Sequence, residues 1–192
     1  MLLQKEKNNM IRGQQKKQET GIVTKQDMSE NQVKIAYLGL GSNLGNRFKN
    51  IELAKIKLSE EAISILKSSS YYETLSWPNP NMPKYINIVL KIKTRLTPNV
   101  LMKICKKIEI SLGRKKRPKN FPRECDIDIL DFDQKIKNNT IYLPHPRMHN
   151  RNFVLFPLFE INKNWKHPRS KHHIKTLIST LSKKDITSIK QI

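Results

Sequence analysis

The fold is decided by an acidic strand, Arg123-Glu124-Cys125-Asp126-Ile127-Asp128-Ile129-Leu130. Because successive side chains of a β-strand point to opposite faces, Asp126 and Asp128 share one face while Ile127 and Ile129 point into the core. Two carboxylates side by side repel each other unless a cation lies between them. The spacing therefore predicts a metal site on the acidic face. A pair of solvated acids on an exposed sheet face is the alternative.

A cationic loop precedes this strand, and a second basic segment follows it. The loop carries six cations: Arg114, Lys115, Lys116, Arg117, Lys119 and Arg123. In residues 144–153, His145 and Arg151 offer hydrogen-bond donors to phosphate, and Phe153 adds a stacking surface. A basic turn before a helix is the alternative for that segment. Hard-cation ligands beside a flexible basic loop are typical of Mg²⁺-dependent chemistry on nucleotide phosphates.

Composition narrows the class of protein. A length of 192 residues fits one domain with a buried core, and the apolar runs are far shorter than the ~20 residues of a membrane helix. Cys105 and Cys125 form neither a metal-ligand spacing nor a disulfide framework, which favours a reducing cytosol. The formal net charge of +21 is mostly lysine spread along nearly every segment. This spread indicates a solvated surface rather than nucleic-acid binding as the main function.

The N-terminal segment differs from the rest of the chain. Residues 1–32 are polar and lack an apolar period, so we expect a disordered extension. They also lack the apolar segment of a secretory signal. Met28 directly precedes the patterned part, which suggests the hypothesis that the physiological chain starts there. Residues 33–192 are predicted to form a single domain.

Four segments are predicted to be strands, the second of them short and containing two tyrosines. They are residues 33–40, 68–74, 85–94 and 125–132. A turn at Asn138-Asn139 leads to a further short strand at 141–143, and we expect a C-terminal hairpin there. The prolines and asparagines of residues 75–83 predict a loop.

Helical periodicity completes the predicted order. In the first helix, five residues fall on one face: Phe48, Ile51, Leu58, Ala62 and Ile65. The second helix is expected to begin with Thr97 as its cap and Pro98 in its first turn, and to end at Gly113. A third helix is predicted at residues 154–161. The order β-α-β-β-α-β predicts an α+β, ferredoxin-like fold, an antiparallel sheet with helices on one face, plus a C-terminal hairpin and helices.

Two strand ends carry residues suited to a small ligand. Gly41-Ser42-Asn43 follows the first strand but matches neither the Walker nor the Rossmann glycine pattern. A glycine there lets a ligand approach the backbone closely, and a plain turn is the alternative. Tyr85 and Asn87 share a face on which a flat heterocycle could stack and be read by a carboxamide. A half-buried tyrosine beside a strand-end polar residue is the alternative.

Taken in order, these motifs resemble those of one enzyme family. The series is Gly41-Ser42-Asn43-Leu44-Gly45, Tyr72-Glu73-Thr74, Tyr85-Ile86-Asn87, Glu109 with Gly113-Arg114, residues 122–130 and residues 144–153. Together they resemble 6-hydroxymethyl-7,8-dihydropterin pyrophosphokinase of folate biosynthesis over about residues 33–161. The acidic strand and the Pro-His…Arg-x-Phe segment are specific motifs, whereas Gly-Ser-Asn alone is not.

The resemblance implies an activity and a metal. Enzymes of this family move the β,γ-pyrophosphoryl unit of ATP onto the pterin's hydroxymethyl oxygen and release AMP. By that resemblance Asp126 and Asp128 hold two Mg²⁺ ions that bridge the triphosphate, and Asp126 assists the substrate hydroxyl. Arg114 and Arg123 match mobile-loop arginines that approach the phosphates as the loop closes and excludes water. Arg114, Arg123 and Asp126 are therefore the expected catalytic residues.

The same resemblance assigns binding positions. Those expected to bind ATP are Lys106, Glu109, Arg114, Lys116, Arg123, Ile129, His145 and Arg151. Those expected to bind pterin are Gly41, Thr74, Leu75, Tyr85, Asn87, Phe121 and Phe153. Some positions depart from the family pattern: Leu75 replaces a proline, Lys106 a glutamine, Lys116 an arginine and Pro146 a tyrosine. The basic loop is also one residue shorter, with Phe121 in place of a glycine and able to supply hydrophobic cover. These changes concern loop dynamics and ATP affinity more than reaction type.

The resemblance thus implies a cytoplasmic, monomeric, Mg²⁺-dependent enzyme acting on ATP and 6-hydroxymethyl-7,8-dihydropterin, with no nucleic-acid or membrane partner. One alternative is a basic RNA-binding domain on the same fold, although the K/R-G-F/Y run of RNA-recognition modules is absent from the sequence. The other is a regulatory pterin or nucleotide binder, which would bind its ligand without releasing AMP.

Overall fold

The computed structural model describes residues 32–116, residue 118 and residues 120–192. The expectations for residues 1–31, including a start at Met28, lie outside this part, as do Arg117 and Lys119. The strands are β1 (Lys34–Ser42), β2 (Ile63–Ser68), β3 (Tyr72–Thr74), β4 (Tyr85–Thr94), β5 (Asp126–Phe132), β6 (Lys137–Asn138), β7 (Tyr142–Leu143) and β8 (Lys190–Gln191). The helices are α1 (Arg47–Ser59), α2 (Pro98–Ser111), α3 (Asn152–Ile161), α4 (Ile174–Ser179) and α5 (Lys183–Thr187), with a 3₁₀ turn at Met148–Asn150.

One antiparallel sheet organises the chain. Its strands follow the order β5-β1-β4-β3-β8, and β2 also pairs with β4. The predicted hairpin is present as β6 and β7, which pair with each other outside this sheet. Because β1 lies between β4 and β5, the end of β1 has a neighbouring strand on both sides.

Helices cover both faces of the sheet, which corrects the expectation of helices on one face. On the first face, Leu38 and Leu40 pack with α1 and α2 in a fully buried core. On the second face, Val89 and Leu130 are buried against α3 and α4. Strands buried on both faces read as nearly continuous apolar runs, and the run Ile88-Val89-Leu90 in β4 was the available sign of a second layer.

Helix α1 is shorter than predicted. It ends at Ser59, so Ala62 and Ile65 lie beyond it, and Ile65 belongs to β2. Ile65 pairs with Ile92 of β4, and this strand pairing prevails over the helical spacing. Phe48, predicted to lie on the buried face, is 45% exposed.

The predicted strand at 68–74 consists of the end of β2 and the separate strand β3. Between them Ser69 donates its N–H to Val89 O (3.0 Å), and its hydroxyl accepts the Val89 N–H (3.0 Å). A side chain that bonds to the backbone in this way competes with a regular ladder and divides the strand.

The structure confirms the predicted cap and terminator of the second helix. Thr97 caps α2 by accepting the N–H of Val100, and Gly113 follows the helix with φ +101°. Within the described residues, no helix combines the length and the apolar character that crossing a membrane needs.

Candidate active site

The end of β1 is where the predicted site residues meet. Gly41 pairs with Asn87 of β4 on one side and with Asp126 of β5 on the other. A Cβ atom at Gly41 would lie 3.0 Å from Asn87 Oδ1 and 3.4 Å from Tyr85 Cδ1. A glycine therefore keeps this surface open, and the two predicted groups of side chains adjoin across one backbone position.

Strand β5 presents its carboxylates as predicted. Ile127 and Ile129 are buried in the first core, whereas Asp126 and Asp128 are partly exposed on the opposite face. The side chain of Asp128 is 35% exposed and that of Asp126 27%. The acidic face is thus open to a ligand while its backbone is held by the core.

Two arginines neutralise Asp126. Arg114 Nη1 lies 2.8 Å and Arg123 Nη1 3.2 Å from Asp126 Oδ1. Burial acts to raise the pKa of Asp126, but the positive charges of Arg123, Lys106 and Arg114 outweigh it and the pKa is lowered. Asp126 is therefore ionised at neutral pH, and its charge is balanced by groups that also suit phosphate.

A second pair of donors faces Asp128. His145 Nε2 and Arg151 Nη1 each lie 3.7 Å from Asp128 Oδ2. Burial lowers the pKa of His145 below its usual value, so the ring is mainly neutral at pH 7. Because His145 Nδ1 accepts the N–H of Arg147 (3.2 Å), the proton of the neutral ring lies on Nε2 and points toward the acidic face.

Glu109 connects α2 to the start of β5. Its side chain is 1% exposed, and its Oε1 accepts the N–H of Ile127 and the ammonium of Lys106, both at 2.7 Å. Its other oxygen pairs with Arg114. Both carboxylate oxygens are engaged, so Glu109 is placed to orient Arg114 and Lys106.

On the other side of Gly41 lie the polar side chains predicted to contact the heterocycle. Asn87 and Thr74 are buried, and Asn87 Nδ2 donates to Thr74 Oγ1 (3.0 Å). Burial raises the pKa of Tyr85, whose hydroxyl lies within the field of Arg123 and Asp126. Phe153 is half-buried, with the Arg151 guanidinium 5.3 Å from its ring centroid.

Four predicted site residues are either exposed to solvent or buried in the core. Leu75 is 42% and Phe121 45% exposed, and Lys116 is also exposed. Ile129, expected near adenine, has its side chain in the first core with 2% exposed. Leu75, Phe121 and Lys116 are therefore exposed at the surface. Because the side chain of Ile129 is buried, only its main chain can contact a ligand.

The structure adds Asn43, for which the sequence indicates no role beyond its place in Gly41-Ser42-Asn43. Asn43 is 2% exposed, and its Nδ2 donates to Ser76 Oγ (3.2 Å) and Pro83 O (3.1 Å). Its Oδ1 accepts the N–H of Arg123 (2.8 Å), and its own N–H bonds to Arg123 O (3.1 Å). Asn43 thus joins the loop at 75–83 to the loop that carries Arg123. The feature of the sequence that points to Asn43 is its position directly after a buried strand.

The chain is similar to proteins of a known family. Residues 37–163 match the family model of 7,8-dihydro-6-hydroxymethylpterin-pyrophosphokinase (HPPK). A 2-amino-4-hydroxy-6-hydroxymethyldihydropteridine pyrophosphokinase of Aquifex aeolicus (strain VF5) is 45% identical over 133 residues, covering 69% of this chain and 82% of that protein. The protein of the same name from Bacillus subtilis (strain 168) is 40% identical over 129 residues, covering 66% of this chain and 77% of that protein.

Among solved structures, wild-type Plasmodium falciparum HPPK-DHPS with pterin and p-hydroxybenzoate has a TM-score of 0.65 at 17% identity. The match covers 85% of this chain and 47% of that chain, so this chain spans about half of that protein's length. This likeness supports the mixed α/β fold with its antiparallel sheet. With the family match and the two relatives, it leads to one assignment. The chain belongs to the 7,8-dihydro-6-hydroxymethylpterin-pyrophosphokinase family, the pyrophosphokinases of folate synthesis.

Proposed function

We propose that the acidic face of β5 and the pocket beside Gly41 form the active site for transfer of pyrophosphate from ATP to 6-hydroxymethyl-7,8-dihydropterin, giving the pterin diphosphate and AMP. This proposal rests on the strand pairing at Gly41, which lies opposite Asn87 of β4 on one side and Asp126 of β5 on the other. A pterin bound against Asn87 therefore has its reacting group beside carboxylates and phosphate donors.

The donor set fits Mg²⁺. In the described part of the chain, no three or more His, Cys, Asp or Glu side chains are grouped so that they could hold a metal. Mg²⁺ commonly takes only one or two protein carboxylates and completes its shell with substrate phosphates and water. Asp126 and Asp128 supply such a pair, and we propose that they hold two ions with ATP. Bound there, the ions would neutralise charge on the triphosphate.

The hydrogen-bond donors around the carboxylates are proposed to bind phosphate. Arg114, Arg123, His145 and Arg151 each already face an oxygen of Asp126 or Asp128. With the carboxylate charges balanced by a bound cation, these groups would be available as donors to phosphate oxygens. Lys106 and Lys116 are proposed to add positive charge, and Glu109 to orient Arg114. Ile129 is proposed to adjoin adenine.

The pterin pocket is proposed to be built from both sides of Gly41. Asn87 and Thr74, already bonded to each other, would read the polar edge of the heterocycle, and Tyr85 and Phe153 would contact its faces. The exposed side chains of Leu75 and Phe121 would cover it. Asp126 is proposed to accept a hydrogen bond from the substrate hydroxyl, and its lowered pKa makes it a weak base.

We also propose a ferredoxin-like core for a single domain at residues 33–192, acting as a cytoplasmic monomer without nucleic-acid or membrane partners. The sheet order supports the core, because β1 lies between β5 and β4, and β2 lies on the far side of β4. The two cysteines are buried, and burial raises the pKa of each thiol to about 12, which suits a reducing compartment.

The reaction is tested by incubating the protein with ATP, Mg²⁺ and 6-hydroxymethyl-7,8-dihydropterin and separating the nucleotides. We expect AMP in equal amount to the pterin diphosphate. Formation of ADP would show transfer of a single phosphoryl group and contradict the proposal. Pterin binding without AMP release would instead favour a regulatory binder.

Replacing Gly41 by alanine is expected to raise KM for the pterin about tenfold, since the new methyl group meets the fixed amide of Asn87 and weakens its hydrogen bonding. The matched control is Gly39→Ala, whose methyl group would lie 3.3 Å from the apolar side chain of Leu130 rather than beside a polar group. Steady-state kinetics of the two variants check this. Equal KM values for the pterin in both variants would contradict the placement of Gly41 in the pterin pocket.

Replacing Asn43 by alanine is expected to raise KM for the pterin and lower kcat, each about tenfold, because both loops lose a hydrogen-bonded anchor. Asn99→Ala serves as the control, since Asn99 is exposed at the start of α2. Steady-state kinetics with each substrate varied in turn measure the effect. A lower stability with KM for the pterin and kcat both unaltered would contradict this role of Asn43.

A further inference from the structure

A C-terminal segment covers the edge of the sheet beside the pterin pocket. Strand β8 pairs with β3, with Gln191 opposite Tyr72. Ile192 donates its N–H to Tyr71 O (2.9 Å), and Gln191 Nε2 donates to Ser70 Oγ (3.0 Å). Strand β3 has only three residues, and its last is Thr74 of the proposed pocket. Pairing on a second side therefore holds Thr74 against Asn87.

The same segment also holds the first turn of α3. Asn152 is 8% exposed, and its Nδ2 donates to Asp185 O (2.6 Å) and to Ser188 Oγ (3.2 Å). Its Oδ1 accepts the N–H of Phe153 (2.7 Å). Asn152 lies between Arg151, a proposed phosphate donor, and Phe153, a proposed pterin contact. Both donors of one amide are thus used to attach this turn to residues 185–188.

From these contacts we infer that Asn152 is a positioning residue. Through residues 185–191 it ties the turn that carries Arg151 and Phe153 to strand β3, which carries Thr74, and so fixes the width of the pterin pocket. The inference rests on the proposed function of that pocket. Residues 164–192, which include this segment, lie outside the match to the family model.

The far end of α3 is attached to the same sheet edge through a different side chain. At its other end Glu160 accepts hydrogen bonds from the N–H of Ser70 (3.0 Å) and from Tyr72 OH (3.0 Å). The Arg151 cap of α3 makes no side-chain hydrogen bond to the helix. Loss of the Asn152 link should therefore shift the first turn while the helix stays on the sheet.

The test uses Asn152→Asp in the full chain, a chain ending at Ile189, and the two changes combined. The introduced carboxylate keeps an acceptor for the N–H of Phe153 but has no donor for Asp185 O. Each single change should raise KM for the pterin about five- to tenfold, with kcat within about twofold. The combined variant should be no worse than either alone, because both break one linkage.

Asn162→Asp is the matched control. Asn162 caps the far end of the same helix and donates to Tyr37 OH (2.7 Å), four residues before Gly41 in β1. This variant should leave KM for the pterin unchanged, because the introduced carboxylate can accept a hydrogen bond from Tyr37 OH. Independent, multiplicative effects of the two test changes, or a loss of Tm with unchanged KM for the pterin, would overturn the inference.

Pterin fluorescence titration separates this inference from the proposed function. If the unaltered protein releases no AMP, the proposed function fails, whereas the Kd for the pterin still reports on Asn152. An unchanged Kd in Asn152→Asp and in the shortened chain would then overturn the positioning role.

Discussion

Replacing Asp126 or Asp128 by asparagine is expected to lower kcat by about 10³-fold or more, the largest effect we foresee. Asparagine keeps the shape of the side chain but removes the charge that a hard cation requires. In Asp126→Asn, Arg114 and Arg123 also lose the carboxylate that they share. The chemistry then lacks the ions that would neutralise and align the triphosphate.

The matched control for this prediction is Asp133→Asn. Asp133 follows β5 on the same chain segment with φ 53°, a conformation that asparagine tolerates well. We expect turnover close to that of the unaltered enzyme in this control and retained pterin binding in all three variants. Near-normal turnover of Asp126→Asn and Asp128→Asn would exclude both residues as metal ligands.

Replacing Arg123 by alanine is expected to lower kcat by about 10²- to 10³-fold while the Kd for the pterin changes less than about threefold. The guanidinium lies 3.2 Å from Asp126 Oδ1, on the β5 side of Gly41. Its main chain is held by Asn43, so truncating the side chain removes the donor without releasing the loop. The loss should therefore appear in the chemical step.

Single-turnover kinetics and pterin titration separate the two effects of Arg123→Ala. Arg95→Ala is the control, because Arg95 is an exposed arginine between β4 and α2. Arg123→Lys should recover part of the rate, since it restores the charge but not the bidentate fork. A variant whose pterin Kd rises while the chemical step keeps its rate would place Arg123 in the pterin pocket instead.

The alternation of β5 was predictable, whereas the ties between loops were not. Asp and Ile alternate along the chain, so the exposed and buried faces follow from the period of a strand. The partners of Asn43 lie 33 to 80 residues away in sequence, and hydrogen bonds over that distance leave no local pattern. A resemblance to a family could assign Arg123 to the site, but only the structure shows what holds it.

Tertiary pairing also explains the errors in element boundaries. Ile65 fits a helical stripe with Leu58, yet it lies in β2 because β4 offers it a partner. Strand β8 joins the sheet through its backbone, and its two residues carry no apolar period that could predict it. Short elements of this kind depend on neighbours already in place, and sequence patterning alone does not reveal them.

The proposal that Asp126 and Asp128 hold the metal for ATP is tested most directly by counting Mn²⁺ ions bound in place of Mg²⁺ with α,β-methylene ATP, an analogue that cannot release AMP. The fall in the EPR signal of free Mn²⁺ gives the number of ions bound per protein. We expect two ions for the unaltered protein and for Asp133→Asn, and fewer for Asp126→Asn and Asp128→Asn. Two ions bound with equal affinity in all four proteins would contradict the metal role of the acidic face.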